Sequence, residues 1–298
     1  MGKRVAVILN SGAGRAGDDN VEKTITSEFE RAGCPVTIRR VRSGEGLIST
    51  AQDSARECDV LVAAGGDGTI SAVASVAVKA GKVLGVVPLG TLNHFSKDLG
   101  IPQDVAGAVD VIAGGNVRQV DIAEVNGRYF INNSSIGLYP RLVRTRERRQ
   151  SLGHGKWWAA LWALTRIVRR NPFQNVKLEL DGNQLRRKTP FLFIGNNIYE
   201  MDLYNIGARP RLDQGKLCIY LLRRSARTGL LLLILRTLFG GLRHDKNFEE
   251  FRTTKLTVET QKSSMLVAVD GEVAAMETPL EYKIHPGELK VIVPRDKE

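Results

Sequence analysis

Gly65-Gly66-Asp67-Gly68-Thr69 is the segment whose residue types and spacing most directly specify chemistry. It follows the apolar run 59–64 and precedes Ile70-Ser71-Ala72-Val73-Ala74, which places it between a buried strand and a helix. Glycines let the backbone approach a polyphosphate with no Cβ in the way, and the unspent N–H groups of a helix beginning near Thr69 offer it partial positive charge. Asp67 runs against that logic. A carboxylate beside a polyphosphate is repelled unless a cation lies between them, so Asp67 implies Mg2+ bridging it, directly or through water, to phosphate oxygens.

Two more loops share the pattern. Asn10-Ser11-Gly12-Ala13-Gly14-Arg15-Ala16-Gly17 follows the first apolar run and contains a formal G-x-G-x-x-G. Alone it would spell a dinucleotide fingerprint, with Arg39, Arg40 and Arg42 suited to a 2′-phosphate. That fingerprint needs a helix starting within its glycines, whereas the N-cap candidates Asp18, Asp19 and Asn20 come only after the last one. It reads better as a longer loop covering a nucleotide, the alternative being a plain surface loop. The third loop, Pro88-Leu89-Gly90-Thr91-Leu92-Asn93, follows the fourth apolar run. One glycine turn is only a turn; three after successive strands point to a shared nucleotide cleft.

The elements that must position these loops read as a doubly wound parallel sheet. Strands are expected at residues 4–9, 35–41, 59–64 and 83–87, alternating with helices at about 21–32, 46–56, 69–80 and 105–112. From residue 117 the pattern changes to closely spaced strands, at 120–125, 129–133, 176–180, 190–194, 217–222, 253–259 and 265–269. Asn126-Gly127 and Asp181-Gly182 suit two-residue hairpins, so this half is expected to be a mostly antiparallel, β-sandwich-like domain. Helical insertions are expected near 156–170 and 226–242, and a last strand at 289–293. The expected division is an α/β nucleotide-binding domain over 1–123, rejoined by about 280–298, and a β-rich domain over 124–279.

The chain has 298 residues, a hydrophobic share of 43% and three widely spaced cysteines, Cys34, Cys58 and Cys218. That composition suits two globular domains and gives no paired-thiol spacing for zinc or a disulfide framework, so a reducing cytoplasm is the simplest setting. The start of the chain has no signal-peptide pattern, and no apolar stretch is long enough to span a bilayer.

The net charge of +11 is concentrated in the middle: residues 124–251 hold 23 Lys and Arg against 10 Asp and Glu, whereas residues 1–123 hold 13 against 14. Within that part, Arg141, Arg144, Arg146, Arg148 and Arg149 precede Lys156-Trp157-Trp158-Ala159-Ala160-Leu161-Trp162, then Arg166, Arg169 and Arg170. All three tryptophans of the protein lie here. Indole rings between apolar residues and cationic ends suit the headgroup boundary of an anionic membrane, where the segment 141–170 would lie flat. A core helix with solvated arginines, or a single-strand nucleic-acid groove, would share the composition. Beside three phosphate loops the membrane surface is the better reading, and no nucleic acid is expected.

Gly65-Gly66-Asp67-Gly68-Thr69, then Pro88-Leu89-Gly90-Thr91-Leu92-Asn93-His94-Phe95-Ser96-Lys97-Asp98-Leu99-Gly100-Ile101-Pro102, then Val269-Asp270-Gly271-Glu272 resemble the diacylglycerol kinase catalytic-domain family, in particular its bacterial soluble lipid kinases. The paired glycine loops are the specific part. Asp-Gly-Glu alone would read as a hairpin turn, and weaker similarity at 121–137, 195–196 and 212–217 carries the resemblance over nearly the whole chain. It implies an ATP-binding domain of the phosphofructokinase and NAD-kinase type, a β-sandwich-like domain, and an active site in the cleft between them. It also implies ATP contacts from Asn10, Ser11, Gly12, Ala13, Gly14, Ser43, Gly65, Gly66, Asp67, Gly68, Thr69, Thr91 and Asn93. By the same resemblance Asp67 belongs to a Mg2+ network, and Asp270 and Glu272 are the acidic pair near the acceptor hydroxyl, one of them the general base. A lipid alcohol is a poor nucleophile whose proton must go somewhere as it attacks the γ-phosphorus.

Two positions depart from the family's pattern. His94 stands where many relatives have Asp. Arg211-Leu212-Asp213-Gln214-Gly215-Lys216-Leu217 resembles a loop that binds a structural Mg2+, with Gln214 in place of the usual Asp and Asp213 as the neighbouring candidate ligand. The expected activity is ATP-dependent phosphorylation of diacylglycerol or a related lipid alcohol at the inner face of the membrane. The competing readings are an NAD kinase, an inactive nucleotide- or lipid-binding module motivated by His94 and Gln214, and an NADP oxidoreductase.

Overall fold

The computed structural model describes residues 4–12, 19–42, 44–137, 140, 174–199, 209–222 and 248–295. The chain forms two compact units: residues 1–122, 211–213 and 285–298 make the first, and residues 123–210 and 214–284 the second.

In the first unit, β1 (Val5–Asn10), β2 (Val36–Val41), β3 (Val60–Gly65) and β4 (Val83–Pro88) are parallel in the order β2-β1-β3-β4. Every residue of β3 is buried, as expected for a central parallel strand covered on both faces. The helices are α1 (Asp19–Arg31), α2 (Gly44–Glu57), α3 (Asp67–Lys79), α4 (His94–Asp98) and α5 (Val105–Gly114). α1 buries Ile25 and Phe29 completely, one turn apart on its inner face. α5 carries its own start and stop: the Asp104 carboxylate accepts from Gly107 N at 2.8 Å, and Gly115 closes it in the left-handed region at φ 64°.

Two strands are shared between the units by connectivity. β5 (Val117–Val125) begins in the first and ends in the second, and β16 (Leu280–Ile292) runs the other way, its Val291 beside Leu84 of β4.

The second unit is built from β6 (Arg128–Phe130), β7 (Asn133–Gly137), β8 (Gln174–Leu180), β9 (Asn183–Thr189), β10 (Phe191–Asn196), β11 (Leu217–Leu222), β12 (Phe248–Thr253), β13 (Lys255–Thr260), β14 (Ser264–Val269) and β15 (Glu272–Glu277). One sheet has the order β12-β11-β10-β7-β14-β15, antiparallel throughout. β9, β8, β13 and the first part of β16 pair antiparallel in a second layer. Leu178, Leu256, Val258 and Tyr282 of that layer share one core with Leu192, Ile194, Ile219 and Val267 of the first. The fold class is therefore the expected one, a parallel α/β half followed by an antiparallel β half.

Several expected elements differ in extent, among them the last strand, expected at 289–293 and observed over Leu280–Ile292. The strand expected at 129–133 is two strands, β6 and β7, broken at Ile131-Asn132 because β6 pairs with β5 whereas β7 pairs with β10 and β14. The strand expected at 253–259 is likewise split between β12 and β13, with the buried Thr253 hydroxyl donating to Lys255 O at 2.7 Å across the corner. α3 starts at Asp67, two residues before the expected Thr69, which puts Asp67 inside the first helical turn. The helices expected at 156–170 and 226–242, and with them the tryptophan segment, lie outside the described residues.

Candidate active site

The ends of β1, β3 and β4 converge through direct contacts. Asn10 closes β1; its Nδ2 donates to Thr69 Oγ1 at 2.9 Å and its Oδ1 accepts from Gly12 N at 3.1 Å. Ser11 N donates to Val41 O at 2.9 Å, and a Cβ on Gly12 would stand 2.7 Å from Arg42 O. Ala13, Gly14 and Ser43 lie outside the described residues.

Gly65 closes β3 with Thr69 folded back over it: a Cβ there would lie 2.5 Å from Thr69 Oγ1, which is why this position takes no side chain. Gly66 caps α3 in an extended conformation without a side-chain bond, so no side chain of its own answers the first-turn N–H groups. Asp67 is half-buried in that first turn and accepts from Phe95 N at a long 3.4 Å. Thr69 is only 3% exposed and works as a brace between the β1 and β3 loops.

The β4 loop lies against this one backbone to backbone. Leu89 N donates to Gly65 O at 2.9 Å, and a Cβ on Gly90 would stand 2.6 Å from Gly66 Cα. Asn93 caps α4 in the left-handed region at φ 50°, 5% exposed, and its Nδ2 holds Gly90 O at 3.0 Å and Gln103 Oε1 at 3.1 Å. Asn93 thus supports the loop from within, while Thr91 and His94 are exposed. Gly90→Ala is expected to push the β3 and β4 loops apart, costing about 1–3 kcal/mol of stability as an overpacked site. A thermal melt checks that loss, and nucleotide titration should show binding weakened about tenfold, the equivalent of about 1.4 kcal/mol.

A divalent cation fits here only as a shared ion. Among the described residues no three of His, Cys, Asp and Glu cluster to hold a metal. Mg2+ keeps most of its oxygen shell from water and substrate phosphates and needs only one or two carboxylates, a donor set that the lone Asp67 beside first-turn N–H groups matches.

In the second unit, Asp270-Gly271 is a two-residue hairpin turn between β14 and β15, with φ 47° and 88°. Asn126-Gly127 and Asp181-Gly182 form the same turn, as their spacing suggested. The Asp270 side chain reaches beyond its own turn into the break between β6 and β7. Its Oδ2 accepts from Ile131 N at 2.9 Å, its Oδ1 from Asn132 N at 2.9 Å and from Asn133 N at 3.0 Å, while Asp270 N donates to Asn133 O at 2.9 Å. A carboxylate receiving three N–H groups is fixed in orientation. Glu272, two residues on, is exposed and ion-paired with Arg128 at 2.6 Å. The two acids are therefore not equivalent: one is built into a backbone break, the other sits on a solvated strand face.

Asp213 is exposed and bonded to Arg211 Nε at 2.9 Å, and that bond holds its carboxyl below the usual carboxylate range. The adjacent Gln214 is engaged with backbone and amide groups: its Oε1 accepts from Ile198 N at 3.2 Å, and its N donates to Asn197 Oδ1 at 3.0 Å. Among the described residues Asp213 belongs to no group of three or more His, Cys, Asp and Glu side chains that could hold a metal.

Missing from the sequence reading was Arg209, which is 3% exposed and bonds the far side of the same 131–133 segment that Asp270 holds. Its only trace in the sequence was the weak similarity at Gly195-Asn196, whose Asn196 shares that contact.

Comparison with known proteins gives a consistent picture. Residues 4–125 match a family model described as the diacylglycerol kinase catalytic domain, and residues 143–293 match one described as the YegS C-terminal NAD kinase beta sandwich-like domain. A diacylglycerol kinase of Bacillus subtilis (strain 168) is 25% identical over 299 aligned residues, covering 99% of this chain and 98% of the relative. A diacylglycerol kinase of Staphylococcus saprophyticus is 35% identical over 140 residues, 46% of each chain. A crystal structure from Bacillus anthracis str. Sterne, provisionally assigned as a diacylglycerol kinase, superposes with a TM-score of 0.78 at 25% identity, covering 99% of both chains.

Proposed function

Because the chain belongs to the diacylglycerol kinase catalytic-domain family with a YegS-type C-terminal domain, and is thereby a kinase with an alcohol acceptor, we propose that it transfers the γ-phosphoryl group of ATP to the hydroxyl of diacylglycerol or a related lipid alcohol. The observation that carries this reading is the backbone contact of the β3 and β4 glycine loops beside the uncapped first turn of α3, with Asp67 in it. Phosphoryl transfer asks little covalent chemistry of a protein; it asks for positioning and for charge where the transferring oxygens gather.

The residues divide the work. Gly65, Gly66 and Gly68 let backbone N–H groups reach the phosphates, and Asn10, Thr69 and Asn93 hold the loops that carry them. Mg2+, when bound through Asp67 and the phosphates, supplies charge neutralisation on the transferring group. Ser11, Gly12 and Thr91, with Ala13, Gly14 and Ser43, are assigned to the rest of the nucleotide. The first unit is thus proposed as the ATP domain and the second as the lipid domain.

Of the two acids, Asp270 is proposed as the group that takes the acceptor hydroxyl's proton, because its orientation is set by three N–H groups and a general base must be held in place. Glu272, two residues on and ion-paired with Arg128, is proposed as the second acid near the acceptor hydroxyl. Asp213, already paired with Arg211, is the weaker metal candidate.

Among the described residues no helix is long and apolar enough to cross a membrane. The arginine- and tryptophan-bearing segment 141–170 is proposed to meet an anionic bilayer from which the acceptor is drawn, its clustered cations and three indoles supporting that reading.

A labelled-ATP acceptor panel tests the proposal: diacylglycerol, monoacylglycerol, phosphatidylglycerol, a sphingoid alcohol and NAD+, each with and without anionic lipid. Phosphorylation of a lipid hydroxyl, faster with anionic lipid present, is the expected outcome. Phosphorylation of NAD+ alone would replace it with the NAD-kinase reading.

A further inference from the structure

The peptide units of residues 131–133 are gripped from both sides. On the N–H side stands the Asp270 carboxylate, bonded to all three amides. On the carbonyl side stands a buried guanidinium: Arg209 Nη1 donates to Ile131 O at 2.5 Å and to Asn196 O at 3.2 Å, and Nη2 to Asn132 Oδ1 at 2.7 Å. The peptide joining Ile131 to Asn132 thus has Arg209 at its oxygen and Asp270 at its hydrogen. A cation at one end of a peptide dipole and an anion at the other strengthen each other's bond to it.

The neighbours complete the grip. Asn196 Nδ2 also donates to Ile131 O at 2.9 Å, and the next carbonyl, Asn132 O, accepts from Asn196 N at 2.9 Å and from Tyr199 OH at 2.9 Å. The Tyr199 ring lies 5.4 Å from the guanidinium carbon, a distance at which a cation is attracted to the ring face. That ring is seated where only glycine leaves room, since a Cβ on Gly195 would come within 2.6 Å of it.

We infer that Arg209, with Tyr199 beneath it, is a positioning residue that fixes the 131–133 backbone and, through its amides, the orientation of the Asp270 carboxylate. The consequence for turnover rests on the role proposed above for Asp270; the mechanical link between Arg209 and the segment does not. The scheme assigns Arg209 to neither nucleotide nor acceptor, so it is expected to act on kcat and to leave ATP binding alone.

Two measurements on the full chain separate this from a plain core role: amide exchange at 131–133, and a double-mutant cycle on kcat. Arg209→Lys keeps the charge but loses the planar two-armed donor, and Tyr199→Phe removes one hydroxyl and keeps the ring; the second guards against a first variant that fails to fold. Both are expected to raise exchange at 131–133 by about tenfold or more without raising it in β1 or β3. Arg209→Lys is expected to lower kcat about 10–100-fold with the ATP KM changed less than about threefold. In an Asp270→Asn background the same substitution should change kcat by less than about threefold, because both act through one segment. Exchange at 131–133 left at the wild-type level in both variants, or losses from Arg209→Lys and Asp270→Asn that multiply, would overturn the inference. Full turnover in Asp270→Asn would instead remove the role proposed for Asp270, and exchange would then decide the positioning claim on its own.

Discussion

Asp270→Asn is expected to lower lipid-phosphorylating turnover by about 10²–10⁴-fold, the range associated with loss of a positioned acid or base. The substitution keeps the volume and changes the chemistry on one side. Two of the three amide bonds, from Asn132 and Asn133, converge on Oδ1 and survive if that atom remains an oxygen; the third, from Ile131, then faces an NH2 group. Leaving one buried donor without its acceptor costs about 1–3 kcal/mol, less than the stability of an ordinary domain. The protein should therefore remain folded with a lowered melting temperature and an unchanged affinity for nucleotide. Glu272→Gln provides the contrast. The exposed pair it breaks with Arg128 is worth about 0–1 kcal/mol, so stability should barely move. Turnover within about tenfold of wild type is expected there, the general-base factor being kept by Asp270. Steady-state kinetics of the two variants decide the assignment, and the reverse order of losses would make Glu272 the proton acceptor.

Asp67→Asn is expected to cost about 10²–10³-fold in kcat and to weaken the apparent Mg2+ dependence, since removing one preorganised charge interaction at a transferring group has effects of that size. It is the cleaner probe of the two. The Asp67 side chain makes one long bond to Phe95 N, and a carboxylate in the first turn of a helix contributes only about 0.3–1 kcal/mol through the dipole. Melting temperature should hold while activity collapses. A Mg2+ titration at saturating ATP checks this, and turnover with unaltered metal dependence would remove Asp67 from the cation site.

The parallel half was legible because three of its strands, β1, β3 and β4, are buried along nearly their whole length. The run Val60–Gly65 has no polar residue to confuse it, and glycine loops after three such strands announced where they would meet. The G-x-G-x-x-G at residues 12–17 did not mislead, because α1 begins at Asp19, beyond the glycines. The antiparallel half was less readable for physical reasons. β9 (Asn183–Thr189) carries Arg186, Arg187 and Lys188, a polar edge strand whose alternation shows only in burial. β15 (Glu272–Glu277) has Ala-Ala-Met at its centre, a composition that suits a helix as well as a strand.

The break at Ile131-Asn132 was invisible for a different reason. Local pattern favours one strand from 129 to 133, and only a carboxylate contributed from 138 residues further along rewards the interruption. Arg209 was hidden in the same way. A single arginine between Ala208 and Pro210 carries no period and no motif, and its importance exists only in the carbonyl oxygens that the fold brings around it. Motif spacing pointed to the glycine loops because each is one continuous segment; the surroundings of Asp270 are assembled from distant segments.

The most direct test of the central claim follows the label. Wild-type protein is incubated with diacylglycerol in mixed micelles and with ATP labelled at either the γ- or the α-phosphorus, and the organic phase is analysed. The account predicts that γ-label enters the organic phase as a phosphorylated lipid while α-label stays in the aqueous phase. γ-Label recovered only as inorganic phosphate, or only on NAD+ when that is supplied, would contradict it.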